Sequence, residues 1–302
     1  MARPDCFVAG FYKCGTTSLY MILKQHKNIL VSDEKENYFF RNSATYEKGI
    51  TWYEKHYYDF EKRSNKDIIV EVNPGLSEVS GTASRLSKFY SPDTPIIFIL
   101  RNPVDWLYSH FRFEIRRGAF PLKDIYFCKK HSFSEAFESY LSAQTMKELK
   151  CRHVFSKQIN EYKKYFRNIK FIFLEDMKRD ADSVYREILQ FFSIDYDAGA
   201  DVGIKVNITD FIPRYPLLKK FHLYLKYYNR KLKLEHKNRF DIKWLIFTTN
   251  VEERLIDFIE STKIEDKSKV NITTRRKLEK YFQSEKKLLE SLSGRNLEDI
   301  WW

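Results

Sequence analysis

Short runs of consecutive apolar residues alternate with amphipathic stretches along the first part of this 302-residue chain. A run that is apolar at every position, rather than at alternate positions, is typical of a strand buried on both faces of a parallel sheet. Parallel strands need crossover connections, and the amphipathic stretches between the runs supply helices for them. The pattern therefore predicts a three-layer α/β/α fold with a central, mainly parallel sheet. The predicted strands are 6–10, 68–72, 95–100 and 170–174.

The predicted helices lie between these strands, and the character of the chain changes after the last of them. From Pro216 onward lysine, leucine and tyrosine dominate and strand signals almost vanish, which predicts a helical C-terminal region packed on the sheet. No linker rich in glycine or serine separates the two parts. We therefore predict one domain, with an α/β core over 1–215 and a helical extension over 216–302. The predicted helices of the core are 18–25, 80–90, 104–117, 134–166 and 182–192.

The charge balance indicates an anionic partner. The chain has 53 basic and 41 acidic residues, a net charge of +12. A surplus of this size suits a nucleotide, an acidic glycan, a nucleic acid or a lipid head group. The aromatic residues are not spaced as a base-stacking platform, so we expect no nucleic-acid partner. A basic module that binds polyanions or membranes, without catalysis, is the non-enzyme alternative.

Cysteine usage and the N-terminal sequence bear on the cellular compartment. Cys6, Cys14, Cys128 and Cys151 form no C-x-x-C pair and have no zinc-ligand spacing, so we expect reduced thiols and no metal site. The first residues do not resemble a signal peptide, and no apolar run reaches the length of about 18 residues that a transmembrane helix needs. We therefore expect a cytoplasmic protein without a transmembrane segment. A peripheral membrane contact and the oligomeric state stay open.

The first predicted strand runs directly into a glycine-containing loop and then into a helix. Residues 10–18 read GFYKCGTTS, with Gly10 and Gly15 at the G-x-x-x-x-G spacing of a phosphate-binding P-loop. Backbone N–H groups in such a connection bind anions together with the helix N-terminus. The structural alternative is an ordinary strand-turn-helix connection in which a threonine caps the helix.

The lysine of this loop is displaced from the position that a nucleotide triphosphatase needs. Thr16 stands where the P-loop lysine is expected, and the loop lysine is Lys13. Mg²⁺-dependent phosphoryl transfer also needs a carboxylate that helps to hold the metal, and no later predicted strand ends in a convincing one. These differences favour metal-free transfer of a less charged group, such as a sulfuryl group, over a P-loop kinase or ATPase.

A second anion-binding element follows the third predicted strand. Arg101 comes directly after Leu100, at the carboxyl edge of the sheet where ligands of open α/β sheets bind. Ser109 lies two helical turns further along. A guanidinium and a hydroxyl supply charge and hydrogen-bond donors for a phosphate. The alternative is that Arg101 forms a structural pair and Ser109 is merely exposed.

Both elements resemble those of sulfotransferases that use 3′-phosphoadenosine 5′-phosphosulfate (PAPS) as the sulfuryl donor. Residues 13–17 are similar to the family's K-x-G-T-T loop, and residues 97–111 with the R-R-G at 116–118 are similar to its 3′-phosphate motif. The resemblance implies a single P-loop-like sulfotransferase domain over 1–302, transfer to a hydroxyl or amine, and adenosine 3′,5′-bisphosphate (PAP) as product, without a metal. The cofactor-binding residues it implies are Tyr12, Lys13, Cys14, Gly15, Thr16, Thr17, Ser18, Arg101, Ser109, Lys205 and Arg214.

The stretch between the first two predicted strands resembles an acceptor-side motif. Residues 35–40 read KENYFF and are similar to the K-E-x-x-F-F element of heparan-type and bacterial sulfotransferases. The resemblance implies that Glu36 is the catalytic base and that Lys13 stabilises the leaving oxygen. On the residues alone, 33–36 also fit a solvated charged run. The expected acceptor contacts are Lys35, Tyr38, Phe39 and Asn73.

The motif departs from the heparan-type pattern at three positions. That pattern has histidine and aspartate where this chain has Tyr38 and Arg41, and a lysine where it has Val72. These changes keep the transfer chemistry but disfavour a heparan-like acceptor. The aromatic residues between 38 and 60 suit a partly apolar pocket wall. Histidine is the rival base, as in small-molecule sulfotransferases, and the candidates are His56, His110, His131 and His153.

Two further segments complete the sequence interpretation. Glu175 and Asp176 follow the last predicted strand, and we expect a structural role for both. The segment 217–228 places its leucines and aromatic residues on one helical face, which predicts a helix docked on the domain with its lysines in solvent. The alternative is that this segment offers a surface to an anionic acceptor or a membrane.

Overall fold

The computed structural model describes residues 2–32, 35–58, 67–117, 132–141, 155–204, 211–212, 214–235 and 239–301. Two compact units are interleaved along the chain. The first contains Met1–Trp106, Lys150–Asn207 and Glu279–Trp302, and the second contains Leu107–Leu149 and Ile208–Leu278. The prediction of one domain with parts over 1–215 and 216–302 stays a prediction.

A five-stranded parallel sheet forms the centre of the first unit. The strands lie in the order β2-β3-β1-β4-β5, and all neighbouring pairs are parallel. β4 is fully buried at all five positions, as expected for a strand covered on both faces. The three-layer α/β/α fold is thereby confirmed. The strands are β1 (Cys6–Val8), β2 (Ile29–Val31), β3 (Ile68–Val72), β4 (Ile96–Leu100) and β5 (Ile169–Phe173).

The edge strand β2 was not predicted from the sequence. It has only three residues, and its register pairs Ile29 with Ile68 and Val31 with Val70. A three-residue run is too short to show periodicity, so its strand conformation depends on pairing with β3. β2 leads into the loop that carries Glu36, and this pairing therefore fixes where that loop starts.

Helices connect the strands of the sheet and carry the predicted motif residues. The 134–166 stretch, expected as one long helix, contains two helices in its described part, α6 and α7. Ser132 caps α6 in a capping box with Glu135. The helices up to the last strand of the sheet are α1 (Thr16–Leu23), α2 (Ser43–Tyr46), α3 (Ile50–Tyr57), α4 (Thr82–Leu86), α5 (Pro103–Arg117), α6 (Phe133–Tyr140) and α7 (Phe155–Lys163).

The C-terminal region is helical, as predicted, and contains one small ribbon. Strand β6 (Phe211–Ile212) pairs antiparallel with β7 (Ile264–Glu265), and both belong to the second unit. The helices after β5 are α8 (Leu174–Arg179), α9 (Ala181–Phe191), α10 (Pro216–Glu235), α11 (Arg239–Ser261), α12 (Ile272–Ser293) and α13 (Glu298–Trp301). In the described part of the chain, no helix is long and apolar enough to cross a membrane.

The orientation of α10 corrects the sequence interpretation. The apolar stripe was expected to face the domain. Leu225 is buried, but Leu217, Phe221 and Tyr224 are 58%, 50% and 63% exposed. The opposite face is buried and carries polar side chains, among them Lys219 and His222. The prediction that the lysines of this helix lie in solvent is therefore wrong for Lys219.

Candidate active site

The loop between β1 and α1 has the backbone of an anion-binding turn. Gly15 has φ +92°, and a side chain there would also collide with Leu174. Lys13 has φ +63°, a left-handed conformation that is uncommon for a residue with a side chain. Gly10 lies against the neighbouring strand, where an added Cβ would stand 2.4 Å from the backbone nitrogen of Ile99. The loop is therefore held in an unusual, compact shape.

The N-terminus of α1 opens directly from this loop. Gly15 stands at the N-cap of this helix and, having no side chain, forms no side-chain capping hydrogen bond. Cys14 is fully buried, and burial raises the pKa of its thiol well above the ordinary value. Cys14 therefore packs inside the fold, and Cys6 is likewise a buried free thiol. Cys128 and Cys151 lie outside the described residues.

Arg101 and Trp106 hold the loop from the side of β4. The Nη1 group of Arg101 donates a hydrogen bond to the Lys13 carbonyl at 3.0 Å, and Trp106 Nε1 donates to the Tyr12 carbonyl at 2.8 Å. Within the described residues, Arg101 Nε is buried without a partner. A buried donor without an acceptor is costly, so the guanidinium is ready to bind an added oxygen atom.

Asn102 connects the second motif to the end of the sheet and to α13. Its side chain accepts a hydrogen bond from Val104 N–H and donates one to the Trp301 carbonyl at 2.6 Å. Glu175 accepts from the Asn102 N–H and from Trp301 Nε1. Asp176 pairs with Arg295 through its carboxylate. These contacts agree with the structural role that was expected for Glu175 and Asp176.

Glu36 stands in a strained loop on the acceptor side. Its φ is +69°, in the left-handed region, which costs a residue with a side chain about 1–3 kcal/mol. Its carboxylate forms an ion pair with Lys35, and its side chain is 32% exposed. Such strain persists only where neighbouring contacts enforce it. The enforcing contacts come from Arg41.

Arg41 joins the Glu36 loop to the anion-binding loop. Its Nη2 donates to the Glu36 carbonyl at 3.0 Å, its Nε donates to the Asn37 carbonyl at 3.3 Å, and its Nη1 donates to the Tyr12 hydroxyl at 2.9 Å. The guanidinium also lies over the Tyr38 ring at 4.4 Å. Burial raises the pKa of Tyr12 to about 12, the Arg41 charge opposes this shift, and the Glu36 charge adds to it. Tyr12 and Glu36 are therefore electrostatically coupled.

The buried carboxyl group of Glu71 supports the loop that carries Glu36. Glu71, in β3, accepts hydrogen bonds from the hydroxyls of Tyr53 and Tyr58, and from Asn73 Nδ2 at 2.8 Å. Asn73 Nδ2 also donates to the Asn37 carbonyl at 3.0 Å. Burial and the Glu71 charge raise the pKa values of both tyrosines well above the ordinary value. Glu71 thus organises a buried polar cluster that is connected through Asn73 to the carbonyl of Asn37, the residue after Glu36.

The aromatic residues of this region form core rather than a pocket wall. Phe39 is fully buried and packs against Phe40 and Tyr53, with ring centroids 4.8 and 4.6 Å apart. The expectation of a pocket wall is therefore wrong for these three residues and for Tyr58. Phe39 anchors the Glu36 loop, and its contact with an acceptor stays a prediction. Tyr38 is 51% exposed.

The other residues that were predicted to bind the donor or to act as the base lie outside the loops described above. Ser109 lies on α5 and is nearly buried, and Arg214 is exposed before α10; both belong to the second unit. Lys205 lies outside the described residues. Of the rival bases, His56 stacks on Trp52 with centroids 4.4 Å apart, and His110 lies on α5. His131 and His153 lie outside the described residues. Among the described side chains, no group of three or more His, Cys, Asp or Glu is arranged to hold a metal ion.

Comparison with known families agrees with this geometry. The model of the sulfotransferase domain family matches residues 3–205, a stretch that contains both anion-binding motifs and the Glu36 loop. The chain belongs to the sulfotransferase family. Members of this family transfer sulfuryl groups and use PAPS as their donor. The P-loop kinase or ATPase alternative loses its support.

Two curated relatives match a shorter stretch of this sulfotransferase. The membrane-associated sulfotransferase kil1 of Dictyostelium discoideum is 33% identical over 116 residues, which are 38% of this chain and 24% of that protein. The human bifunctional heparan sulfate N-deacetylase/N-sulfotransferase 1 is 30% identical over 115 residues, 37% of this chain and 13% of that protein. The matches thus span a quarter or less of these relatives.

One solved structure has the same fold over its full length. The crystal structure of a sulfotransferase from Alicyclobacillus acidocaldarius covers 99% of this chain and of its own, with a TM-score of 0.60 and 19% sequence identity. The similarity confirms the fold, including the helical C-terminal region.

Sequence reasoning missed several residues that organise the site. It recorded Arg41 only as a departure from a pattern and gave Glu71 no role. Tyr53 and Tyr58 are separated from Glu71 by 18 and 13 positions, so no local motif joins them. The available signal was a glutamate inside an otherwise apolar strand, because a carboxyl group at such a position requires buried donors.

Proposed function

We propose that this enzyme transfers the sulfuryl group of PAPS to a hydroxyl or amine of a glycan or small molecule. The observation that carries the proposal is the shape of the loop between β1 and α1. Positive φ angles at Lys13 and Gly15 lead into a helix N-terminus without a side-chain cap, and Arg101, whose buried Nε has no partner among the described residues, donates to the Lys13 carbonyl. These groups fit an anionic ligand with two phosphate-bearing ends.

The residues fit the donor in two groups. The loop from Tyr12 to Ser18 would hold the 5′-phosphosulfate with its backbone N–H groups and the Lys13 ammonium. Arg101 and Ser109 would hold the 3′-phosphate, with Lys205 and Arg214 as further basic contacts. When bound, PAPS supplies the sulfuryl group and, as PAP, the leaving group.

Lys13 and Glu36 would carry the transfer chemistry. Glu36 takes a proton from the acceptor as its oxygen or nitrogen forms a bond to sulfur. The bond from sulfur to the bridging phosphate oxygen breaks at the same time, and the Lys13 ammonium stabilises the charge left on that oxygen. Arg41 holds the Glu36 backbone and the Tyr12 hydroxyl together, which keeps the base and the lysine loop in one arrangement.

The acceptor side combines polar and apolar groups. Lys35 and Tyr38 stand beside Glu36, and Asn73 Oδ1 is buried without a partner among the described residues. The name of the human relative includes heparan sulfate, which supports a glycan acceptor. Arg41 and Val72 replace the aspartate and lysine of the heparan-type pattern, which supports an acceptor that differs from heparan.

The decisive experiment is a calorimetric titration with PAP and with ADP, both without Mg²⁺. We expect tight binding of PAP alone, and its loss in Arg101→Ala. Arg167→Ala is the matched control, because Arg167 pairs with Asp93 on the exposed surface. No PAP binding, or a preference for ADP that requires Mg²⁺, would refute the donor assignment.

Two substitutions then separate the roles of Lys13 and Glu36. Lys13→Ala should abolish transfer because the leaving oxygen loses its cation. Glu36→Gln should keep PAP affinity near that of the wild type and abolish turnover. If Glu36→Gln instead lowers only PAP affinity, Glu36 is not the base.

A further inference from the structure

Helix α10 turns its apolar face away from the protein. Leu217, Phe221 and Tyr224 follow at i, i+4 and i+7, so they share one face, and all three are at least half exposed. Tyr227, beside this face, is 67% exposed. We call these four residues the outer face of α10. Apolar residues of a docked helix normally face the core, so an outward apolar face indicates a further partner.

The opposite face of α10 is polar and is satisfied by contacts inside the same unit. Asn229 Nδ2 donates to Glu252 Oε2 at 2.7 Å, and His222 Nε2 lies 3.8 Å from Glu252 Oε1. Burial lowers the pKa of the Lys219 ammonium, which Glu260 opposes. These contacts with α11 fix the rotation of α10 about its axis. The exposure of the outer face therefore follows from specific polar pairing.

The charge of α10 selects an anionic partner. The helix has six lysine or arginine residues and a single acidic residue, Glu235, at its end. Lys220 is half-buried next to Phe221 and lies beside the outer face, whereas the exposed Lys226, nine residues after Leu217, lies on the opposite side of the helix. Cations beside an apolar, tyrosine-containing surface are the arrangement found in helices that lie in the interface of a bilayer.

We propose that α10 docks on a membrane surface containing anionic lipids. Leu217 and Phe221 would enter the region between head groups and acyl chains, while the tyrosines keep their hydroxyls at head-group level. Lys220, beside the outer face, would meet the lipid phosphates and carboxylates. This surface belongs to the second unit alone and does not depend on the proposed donor chemistry.

The test is cosedimentation of the full chain with phosphatidylcholine vesicles, with and without phosphatidylserine. We expect binding to the anionic vesicles, and a loss of roughly tenfold or more in the pair variant Phe221→Ser with Tyr224→Ser. The matched control is Ile272→Ser with Leu288→Ser, which removes exposed apolar side chains from α12 and should leave binding unchanged. PAP titration of each variant checks that the fold is kept.

A charge variant tests the electrostatic part separately. Lys220→Glu should lower affinity for anionic vesicles by about fivefold or more, and added salt should weaken wild-type binding. Equal vesicle binding by the outer-face variant and the wild type would overturn the proposal. An absence of vesicle binding by the wild type would also overturn the proposal. Self-association, or binding to soluble heparin, that the outer-face variant abolishes would then show what covers this face instead.

Discussion

Replacing the buried Glu71 by glutamine tests whether its polar cluster stabilises the fold and the base loop. Glutamine keeps the size of the side chain but turns one acceptor oxygen into a donor. If that group faces Asn73 Nδ2, two donors meet. If it faces Tyr53 and Tyr58, their hydroxyls lose the oxygen to which both donate. Either orientation leaves buried donors without acceptors.

The size of the effect follows from the bonds that are lost. Hydrogen bonds to a charged group contribute about 1.5–3 kcal/mol each. Two of them, from Tyr53 and Tyr58, are lost in the orientation that avoids the contact between the new amide group and Asn73 Nδ2. A new bond from the amide to one hydroxyl, and relief of carboxylate desolvation, offset part of this loss. We expect Glu71→Gln to lower the free energy of unfolding by about 2–4 kcal/mol, or the Tm by roughly 3–6 °C.

The assay is thermal unfolding followed by near-ultraviolet circular dichroism. Glu47→Gln is the control, because Glu47 is exposed and the same change should leave the Tm within about 1 °C. Tyr58→Phe and the double variant complete a cycle, in which we expect a coupling of about 1 kcal/mol or more. A Glu71→Gln protein that melts with the wild type would refute the role of the cluster.

Three other perturbations have defined outcomes. Gly10→Ala should abolish PAP binding because its Cβ would collide with the Ile99 backbone, whereas Gly199→Ala, in an exposed turn where the Cβ would meet only the Asp197 side chain at 3.3 Å, should keep binding; calorimetry compares the two, and equal affinities would contradict the close approach. Arg41→Ala should lower the rate at which PAP is formed from PAPS and acceptor by roughly a hundredfold, because Glu36 is displaced, while PAP affinity stays within about twofold of the wild type. Unchanged turnover would contradict this. The free energy of unfolding should fall above about pH 10 by roughly 5 kcal/mol per pH unit, because four buried tyrosines lose their protons in the unfolded chain and keep them in the folded one. Denaturant titrations with tyrosinate absorbance check this, and ionisation of all 20 tyrosines near pH 10 in the folded protein would contradict it. The tyrosines concerned, whose pKa values burial raises most, are Tyr53, Tyr58, Tyr90 and Tyr162.

The sequence predicted the features that depend on contiguous residues. The strand–loop–helix connection over 6–23, the strand that ends just before Arg101 and the alternation of strands and helices are all local patterns, and the structure has them where they were predicted. Short elements such as β2 were missed, because three residues carry no periodicity and depend on pairing with β3. The connection from Arg41 to Tyr12 spans 29 positions, and nothing in either local sequence indicates it.

The face of a helix is harder to orient than to detect. Periodicity in α10 correctly groups Leu217, Phe221 and Tyr224 on one side, but it does not say which side meets the protein. Glu252 decides this by pairing with His222 and Asn229, and it comes from the next helix. A rule that buries the apolar side therefore fails where a partner helix supplies polar contacts.

The bond between Asn102 and Trp301 joins residues that are 199 positions apart. A ribosome adds about 5–20 residues per second, so roughly 10–40 s separate the synthesis of the two partners. During that interval the amide of Asn102 lacks the Trp301 carbonyl as its acceptor, and the carboxylate of Glu175 lacks the Trp301 indole as a donor. These contacts at the carboxyl edge of the sheet can therefore form only after α13 has been synthesised.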